Sequence, residues 1–312
     1  MKRTVVGLVT AAVAVLGLTA CGGSGNGGNP LSAGSGGGGS SSGGNVTITI
    51  GSGNFTESKV LAEVYAGALQ AKGIKVTTHL NIGSREVYFP ALKDGSIDLI
   101  PEYTGTLLQY VDKTATQVSP DDVYTALKSK LPSGLTALDK SDAQDSDAIV
   151  VTKATAQQYH AQSIADLAPH CGQLTFGGPP EIQTRPDGLP GFKKNYNCVF
   201  GNFKSLDAGG ALTIAALKNG NVQAADIFTT DPSIPANGWV VLKDPKNNFA
   251  AQNVVPIINS SKATPEVSAA LNAVQAKLTT AVLTQLDAAA AAPSHPDLST
   301  VADNWLKSVG LG

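Results

Sequence analysis

The residues that could carry out covalent or metal chemistry are few in this 312-residue sequence. It contains three cysteines, Cys21, Cys171 and Cys198, and four histidines scattered along the chain. The spacing of Cys171 and Cys198 matches no zinc-binding pattern. No histidine stands where it would make a nucleophile–base pair, and the sequence has neither a phosphate-binding P-loop nor a Gly-X-Ser-X-Gly elbow. We therefore expect no enzyme activity, no metal site and no cofactor.

Acidic side chains are the remaining candidates for chemistry. Glu102, Asp145, Asp147, Glu181 and Asp231 could form carboxylate pairs in space. For each of them, helix capping, ion pairing or exposure to solvent is the simpler interpretation. The acidic residues alone therefore identify no reaction.

A glycine turn near the start of the folded part could hold a ligand. Gly51-Ser52-Gly53 lies between a predicted strand and a predicted helix, but Thr56 stands where a dinucleotide-binding motif has its third glycine. We therefore expect no nucleotide here. The same turn suits any ligand that binds at a helix N-terminus.

Alternating strands and helices must position these side chains. Residues 46–50 alternate in polarity and predict a strand. The next segment predicts a helix with Asn54 as its N-cap and Glu57 at the third position. The strand–helix pattern restarts near residue 149, and helices are predicted at 265–287 and 297–308. This alternation favours an α/β fold with a parallel sheet.

Two parts of the chain repeat one pattern. Leu92–Gly95 and Leu217–Gly220 each end a predicted helix with glycine, and an apolar strand follows each of them. These strands run into hydroxyl-rich segments, Tyr103–Thr106 and Phe228–Asp231. The repeat indicates two similar lobes. Because α/β proteins bind ligands beyond the carboxyl ends of parallel strands, we expect a ligand near both segments.

The first twenty residues are typical of an export signal. Two basic residues precede the apolar stretch Thr4–Leu18, which is short for a membrane span. The sequence Leu18-Thr19-Ala20-Cys21 is similar to the lipobox of bacterial lipoproteins, in which the cysteine is acylated and becomes the N-terminus. The alternative is an ordinary signal peptide with a cysteine nearby. We predict a lipoprotein signal peptide at 1–20, with Cys21 lipidated, palmitate included.

The next segment predicts a tether. Residues 22–44 hold twelve of the chain's 34 glycines and no charged residue, so they cannot bury enough surface to fold. As a flexible coil this segment would reach roughly 25 Å. Together with Cys21, it would hold the folded part near the outer face of the bacterial plasma membrane.

An extracytoplasmic location bears on the two remaining cysteines. In an oxidising compartment an even pair is most simply a disulfide, so we predict a bond between Cys171 and Cys198. A metal or redox pair is the alternative. The formal net charge of −2 and the lack of a basic run give no support for nucleic-acid binding.

Several segments carry a family resemblance. In chain order they are Ile50–Glu57, Asn81–Ser84, Pro101–Thr106, Pro180–Gly191 and Phe228–Asp231. They resemble the osmoprotectant (glycine betaine, choline, carnitine) binding proteins of ABC importers, and the likeness runs over residues 46–312.

The resemblance implies an α/β type II periplasmic-binding-protein fold, in which two lobes joined by two crossover strands close over a ligand cleft. Lobe 1 would comprise 45–148 plus 253–312, and lobe 2 would comprise 149–252. The crossovers would lie near 146–152 and 250–257. The implied function is that of an extracytoplasmic, monomeric lipoprotein that delivers a small solute to ABC permease subunits.

The resemblance also implies site residues. In that family, tyrosines from both lobes surround a quaternary ammonium group by cation–π attraction, and polar and cationic groups hold the carboxylate end of betaine. When this arrangement is carried over to the matching positions of the present sequence, the resemblance implies Tyr103, Thr106, Arg185 and Phe228 as ligand-binding residues.

This sequence departs from the family at other positions. Two tyrosines of the family correspond here to Asp147 and Gln252, and a polar residue of the first loop corresponds to Gly53. Asp147, Gln252 and Asn54 complete the predicted ligand-binding set.

The replaced tyrosines leave the identity of the solute open. Asp147 could pair directly with a cation, which favours a quaternary ammonium compound without a carboxylate. Alternatively, the polar residues of the set form a hydrogen-bonding cleft for a polyhydroxylated or aromatic molecule between Tyr103 and Phe228. An extracytoplasmic enzyme on the same scaffold and a ligand sensor that has lost transport are further alternatives.

Overall fold

A computed structural model describes residues 47–312 of the chain. The predicted signal peptide, Cys21 and the tether lie outside the described residues. The strands are β1 (Thr47–Gly53), β2 (Lys75–Gly83), β3 (Leu99–Tyr103), β4 (Leu135–Ala137), β5 (Ile149–Val151), β6 (Thr175–Gly178), β7 (Asn202–Ser205), β8 (Ala224–Asp226), β9 (Val240–Val241) and β10 (Val254–Asn259).

The α-helices connect these strands and complete the C-terminal part. They are α1 (Thr56–Gln70), α2 (Arg85–Asp94), α3 (Thr104–Val111), α4 (Pro120–Lys130), α5 (Lys153–Gln158), α6 (Ile164–Leu167), α7 (Leu189–Gly191), α8 (Ala211–Lys218), α9 (Ser233–Asn237), α10 (Pro265–Gln275), α11 (Thr280–Ala290) and α12 (Leu298–Ser308). In the described part of the chain, none of them combines the length and apolar character that a membrane span needs.

Two five-stranded sheets form the centres of two lobes. The first sheet has the strand order β2-β1-β3-β10-β4, and the second has the order β7-β6-β8-β5-β9. The first sheet takes its strands from residues 47–137 and 254–259, and the second takes them from 149–241. The predicted lobe boundaries at 148/149 and 252/253 fall between strands of different sheets.

Both sheets are mixed, so the prediction of a parallel sheet is only partly correct. Strand β1 runs parallel to β2 and β3, but β10 runs antiparallel to β3 and β4. In the second sheet, β6 runs parallel to β7 and β8, but β5 runs antiparallel to β8 and β9. Strands β5 and β10 each follow a crossing between lobes. Each of them therefore begins beside the carboxyl end of a neighbouring strand: Val254 of β10 pairs with Tyr103 of β3, and Ile149 of β5 pairs with Asp226 of β8.

The two crossing segments lie side by side between the lobes. The amide of Asp145 donates to the carbonyl of Gln252 (3.2 Å), and the amide of Val254 donates to the carbonyl of Ala143 (3.0 Å). The predicted crossovers near 146–152 and 250–257 extend into β5 and β10, which already belong to the sheets.

The C-terminal helices return to lobe 1. Its core contains Leu61 and Leu69 from α1, Leu271 from α10, Leu283 from α11 and Leu306 from α12, and all five side chains are buried. The helix predicted at 265–287 is in fact two helices, because the Thr279 side chain accepts a hydrogen bond from the amide of Val282 and caps α11.

The predicted capping box at α1 is wrong. The helix begins at Thr56 with Phe55 as its N-cap residue, and no side chain caps its end. Glu57 is buried and instead accepts hydrogen bonds from residues of both lobes. Its Oε1 accepts from the Tyr103 hydroxyl (2.5 Å) at the end of β3, and its Oε2 accepts from the Thr230 hydroxyl (2.9 Å) in lobe 2.

Two further buried carboxyl groups surround this contact between the lobes. Asp145 accepts from the Thr229 hydroxyl (2.9 Å) and from the Thr230 amide (3.0 Å). Asp287, near the end of α11, is only 7% exposed. Burial, then the charge of Asp287, raises the pKa of Glu57 well above its usual range. Burial, then the charge of Glu57, likewise raises the pKa of Asp145. Folding therefore makes both carboxyl groups harder to ionise.

Asp287 should give the unfolding free energy a measurable pH dependence. Burial, with Asp145 and Asp231 nearby, raises its pKa from 3.8 to about 7, although hydrogen bonds to Glu57 and Thr230 oppose the rise. The folded protein thus keeps a proton that the unfolded chain has released, and stability falls as the pH rises between those values. This shift corresponds to at most about 4 kcal/mol.

We predict that Asp287→Asn, which stays neutral, loses less stability between pH 5 and pH 8 than the wild type does, by about 2–3 kcal/mol. Urea unfolding at several pH values measures the difference. The exposed Asp303→Asn on α12 is the matched control and should follow the wild type. An equal decline in Asp287→Asn and wild type would contradict the prediction.

A disulfide fastens the core of lobe 2. Cys171 and Cys198 are bonded, with their Cα atoms 5.4 Å apart, and both side chains are buried. They lie among aromatic side chains that include Phe176 and Phe192. The bond closes a loop across a sequence separation of 27 residues, which restricts the unfolded chain.

Replacing both cysteines by serine should lower the free energy of unfolding by about 3–4 kcal/mol, since a loop of this length becomes free in the unfolded state. Urea unfolding measures the loss. A reducing agent should destabilise the wild type by a similar amount and leave the double variant unchanged. A loss well under 1 kcal/mol would mean that the bond does not restrict the unfolded chain in this way.

Candidate functional site

A cleft between the lobes, with a cavity volume of about 50 Å³, brings the predicted site residues together. Both lobes and both crossing segments line it. All seven residues of the predicted set are among the lining residues: Asn54, Tyr103, Thr106, Asp147, Arg185, Phe228 and Gln252. Their contact with a solute remains a prediction.

The repeated sequence pattern explains two of these positions. Tyr103 is the last residue of β3, and Phe228 follows the end of β8, so each side chain lies at the carboxyl end of a central strand. The helix preceding each strand ends at a glycine with positive φ, Gly95 at 82° and Gly220 at 72°. The topology of the two lobes therefore directs both rings into one cleft.

Two further aromatic rings line the cleft, and the sequence analysis missed both. The ring centroid of Phe55 lies 5.9 Å from that of Tyr103 and 4.9 Å from that of Phe228. Tyr88 lies on α2, one turn after Arg85. The position of Phe55 just after β1 could have identified it, but it was assigned to a capping motif.

The glycine at position 53 is linked to the position of Phe55. A Cβ atom added at Gly53 would lie 2.9 Å from Cε1 of the Phe55 ring. A larger residue there would require the ring to move. The absence of a side chain at Gly53 therefore makes room for an aromatic ring at the cleft.

Both tyrosines of the cleft are held by buried carboxyl groups. The Tyr103 hydroxyl donates to Glu57, as described above, and the Tyr88 hydroxyl donates to Oε1 of Glu102 (2.8 Å). Because both hydroxyl protons are already donated, these tyrosines offer a ligand mainly ring surface.

Gln252 holds the start of α3 and positions Thr106. Its Oε1 accepts from the amides of Gly105 (3.1 Å) and Thr106 (3.0 Å), and its Nε2 donates to the Thr106 hydroxyl (2.5 Å). A Cβ atom at Gly105 would lie 2.8 Å from the Ala251 carbonyl oxygen, so only glycine allows this close approach. The Thr106 hydroxyl keeps its own proton for donation into the cleft.

Each arginine of the cleft has a carboxylate partner. Arg85 donates to Glu102 through Nε (2.8 Å) and Nη2 (2.7 Å), and Glu102 is fully buried. Arg185 of lobe 2 donates to Glu86 of lobe 1 through Nε and Nη2, both at 3.1 Å. Partial burial would raise the pKa of Glu86, but hydrogen bonds and charge from Arg185 lower it to about 2.

Three more carboxyl groups lie around Arg185. Burial raises the pKa of Asp147 although both arginines oppose the rise. Burial, then the charge of Asp147, raises the pKa of Asp187 to about 6 and that of Asp226 well above its usual range. One carboxylate oxygen each of Asp187 and Asp226 is buried without a hydrogen-bond partner among the described residues. The cleft is therefore richer in acidic than in basic groups.

A larger groove, of about 760 Å³, adjoins the cleft. Asn54, Phe55, Ala208 and Phe228 line both spaces. The Phe55–Phe228 pair thus lies at the boundary between the cleft and the wider groove. Within residues 47–312, no three His, Cys, Asp or Glu side chains are grouped so as to hold a metal ion.

Solved structures and characterised proteins resemble this chain over most of its length. The glycine betaine-binding protein YehZ of Escherichia coli K12 is 29% identical over 278 residues, which cover 84% of this chain and 90% of that protein. The carnitine transport binding protein OpuCC of Listeria monocytogenes is 27% identical, with 77% and 80% covered.

A crystal structure described as a glycine betaine/carnitine/choline ABC transporter has a TM-score of 0.67 and 27% identity, and the match covers 85% of this chain and 99% of that one. The apo structure of YehZ has a TM-score of 0.59 and 26% identity, with 85% and 99% covered. The lobes and the crossings thus follow the type II periplasmic-binding-protein fold. The family model for the substrate-binding domain of ABC-type glycine betaine transport systems matches residues 46–308. The chain therefore belongs to this family of ABC-transporter substrate-binding domains.

Proposed function

We propose that this protein binds a small quaternary ammonium solute between its lobes and delivers it to the permease of an ABC importer. The observation that carries the proposal is the lining of the cleft, in which four aromatic rings accompany an excess of acidic groups. Members of the family are solute-binding domains of importers and not enzymes. Relatives named for binding glycine betaine and carnitine support the proposal.

The aromatic lining suits a bulky organic cation. A quaternary ammonium group has no N–H donor, so it gains little from hydrogen-bond acceptors and is attracted to the faces of aromatic rings. Each such face contributes about 1–2 kcal/mol when water is excluded. Phe55 and Tyr88 supply two faces in place of the tyrosines that Asp147 and Gln252 replace.

The mechanism is closure of the lobes over the solute, with no bond made or broken. Tyr103, Phe55 and Tyr88 belong to lobe 1, whereas Phe228 and Arg185 belong to lobe 2. A solute that contacts both groups stabilises the closed arrangement, because these contacts form together only there. The permease would then recognise the closed form.

We also propose that the protein is a monomer held at the outer face of the plasma membrane by an acylated Cys21. The lipobox-like sequence and the glycine-rich segment up to residue 44 support this. A tether of that length would let the folded part reach the permease.

Tyr103→Ala should weaken solute binding at least about 10-fold, because it removes a ring face from the cleft. Tyr103→Phe keeps the ring and should bind within a few-fold of the wild type. Isothermal titration calorimetry with choline, glycine betaine and carnitine measures both.

Tyr124→Ala is the control, since this tyrosine lies on α4 and is not a lining residue of the cleft. Unchanged affinity in Tyr103→Ala would contradict the placement of the solute. If a panel of polyols and polyphenols gives heat of binding and the ammonium compounds give none, the polyhydroxylated or aromatic alternative is favoured.

Cys21→Ala should release the protein from the membrane, because the acylated thiol is lost. Fractionation of the producing bacterium followed by immunoblotting measures the distribution. Ser24→Ala, three residues later in the glycine-rich segment, should leave the protein with the membranes. Retention of Cys21→Ala in the membrane fraction would exclude this cysteine as the anchor.

A further inference from the structure

An ion pair joins the two lobes beside the cleft and occupies the arginine that a solute carboxylate would need. Arg185 of lobe 2 and Glu86 of lobe 1 meet through two parallel hydrogen bonds, both at 3.1 Å. This bidentate arrangement uses the Nε–Nη2 edge of the guanidinium, which is the edge best suited to bind a carboxylate. Glu86 therefore already occupies the edge of Arg185 that the acid group of a zwitterionic solute would use.

Among the described residues, both cations that line the cleft are paired. Arg85 and Arg185 are its only basic lining residues in the described part of the chain, and Arg85 is held by the fully buried Glu102. Freeing Arg85 would leave a buried carboxylate without its partner, which is strongly unfavourable. A solute carboxylate would thus have to compete for Arg185.

Acidic groups of lobe 2 also disfavour a solute that carries a carboxylate. Asp147 lines the cleft, and Asp187 and Asp226 are buried beside it. Asp147 and Asp187, when ionised, attract an ammonium group and repel a carboxylate brought close to them. Glu181 also approaches Arg185, with an Nη2–Oε1 distance of 3.9 Å. Arg185 is therefore surrounded by protein carboxylates.

We propose that Glu86 is a specificity-determining residue that takes the place of a solute carboxylate on Arg185. This inference rests on the proposed function. It selects quaternary ammonium cations without a carboxylate, such as choline, over zwitterions such as glycine betaine. A zwitterion must either displace Glu86 or leave its own carboxylate unpaired, and both cost free energy. A simple cation leaves the Arg185–Glu86 pair intact, so the contact between the lobes is kept.

The test compares two solutes of similar size. Isothermal titration calorimetry of the detergent-purified full chain should show choline bound at least 10-fold more tightly than glycine betaine. Glu86→Gln should reduce this ratio about 10-fold or more, because Arg185 becomes available to the betaine carboxylate. Glu86→Ala should change the ratio in the same direction. Glu86 is exposed on α2, so both variants should fold.

Two controls distinguish a change in the choline-to-betaine ratio caused by Glu86 from the effect of removing any exposed charge. Glu266→Gln removes an equally exposed charge on α10, away from the cleft, and should leave the ratio unchanged. In Glu86→Gln/Arg185→Gln, the gain in betaine affinity should disappear, because the gain requires the guanidinium.

The outcomes distinguish this inference from the proposed function. If both solutes bind and Glu86→Gln leaves the ratio unchanged, the role of Glu86 is overturned while the proposed function stands. If the wild type prefers glycine betaine, the selectivity is also overturned. If neither solute binds to any form of the protein, the proposed function fails, and this inference fails with it.

Discussion

The burial of acidic groups between the two lobes fixes both how the lobes meet and which groups face the cleft. Glu57 lies at the start of α1 and receives hydrogen bonds from Tyr103 in lobe 1 and Thr230 in lobe 2. A carboxyl group removed from water must keep its proton or find donors, and Glu57 does both. The same contact fixes the ring of Tyr103 and joins lobe 2 to lobe 1, so the geometry of the cleft and the position of the lobes are set together.

The same requirement shapes the cleft itself. Arg85 and Arg185 cannot be left partly buried without carboxylates, and the chain supplies Glu102 and Glu86. This pairing neutralises the groups that would otherwise attract an anion. What remains facing the cleft is aromatic surface, neutral polar side chains such as Thr106, and acidic side chains such as Asp147. The electrostatic needs of the folded chain thus lead directly to a site suited to an organic cation.

Sequence reasoning was strongest where local patterns decide the structure. The helix ends at Gly95 and Gly220, and the strands after them, could be recognised because glycine with positive φ ends helices in a characteristic way. Family-like segments led to Tyr103 and Phe228. Phe55 was missed because its neighbours matched a capping box, and the competing contacts of Glu57 came from residues distant in sequence. Tyr88 and Glu86 lie on a helix whose orientation no local pattern reveals.

The amino-acid sequence is enough to predict the alternation of strands and helices, the residues at the ends of the central strands, and the family to which the chain belongs. These properties follow from backbone preferences and short motifs, which act within a few residues. The partner of each charged side chain is set by the three-dimensional fold instead. Arg185 meets Glu86 across 99 positions of sequence, and Thr230 meets Glu57 across 173. Such pairs depend on how two lobes come together, because electrostatic attraction acts on distance in space and not on separation along the chain.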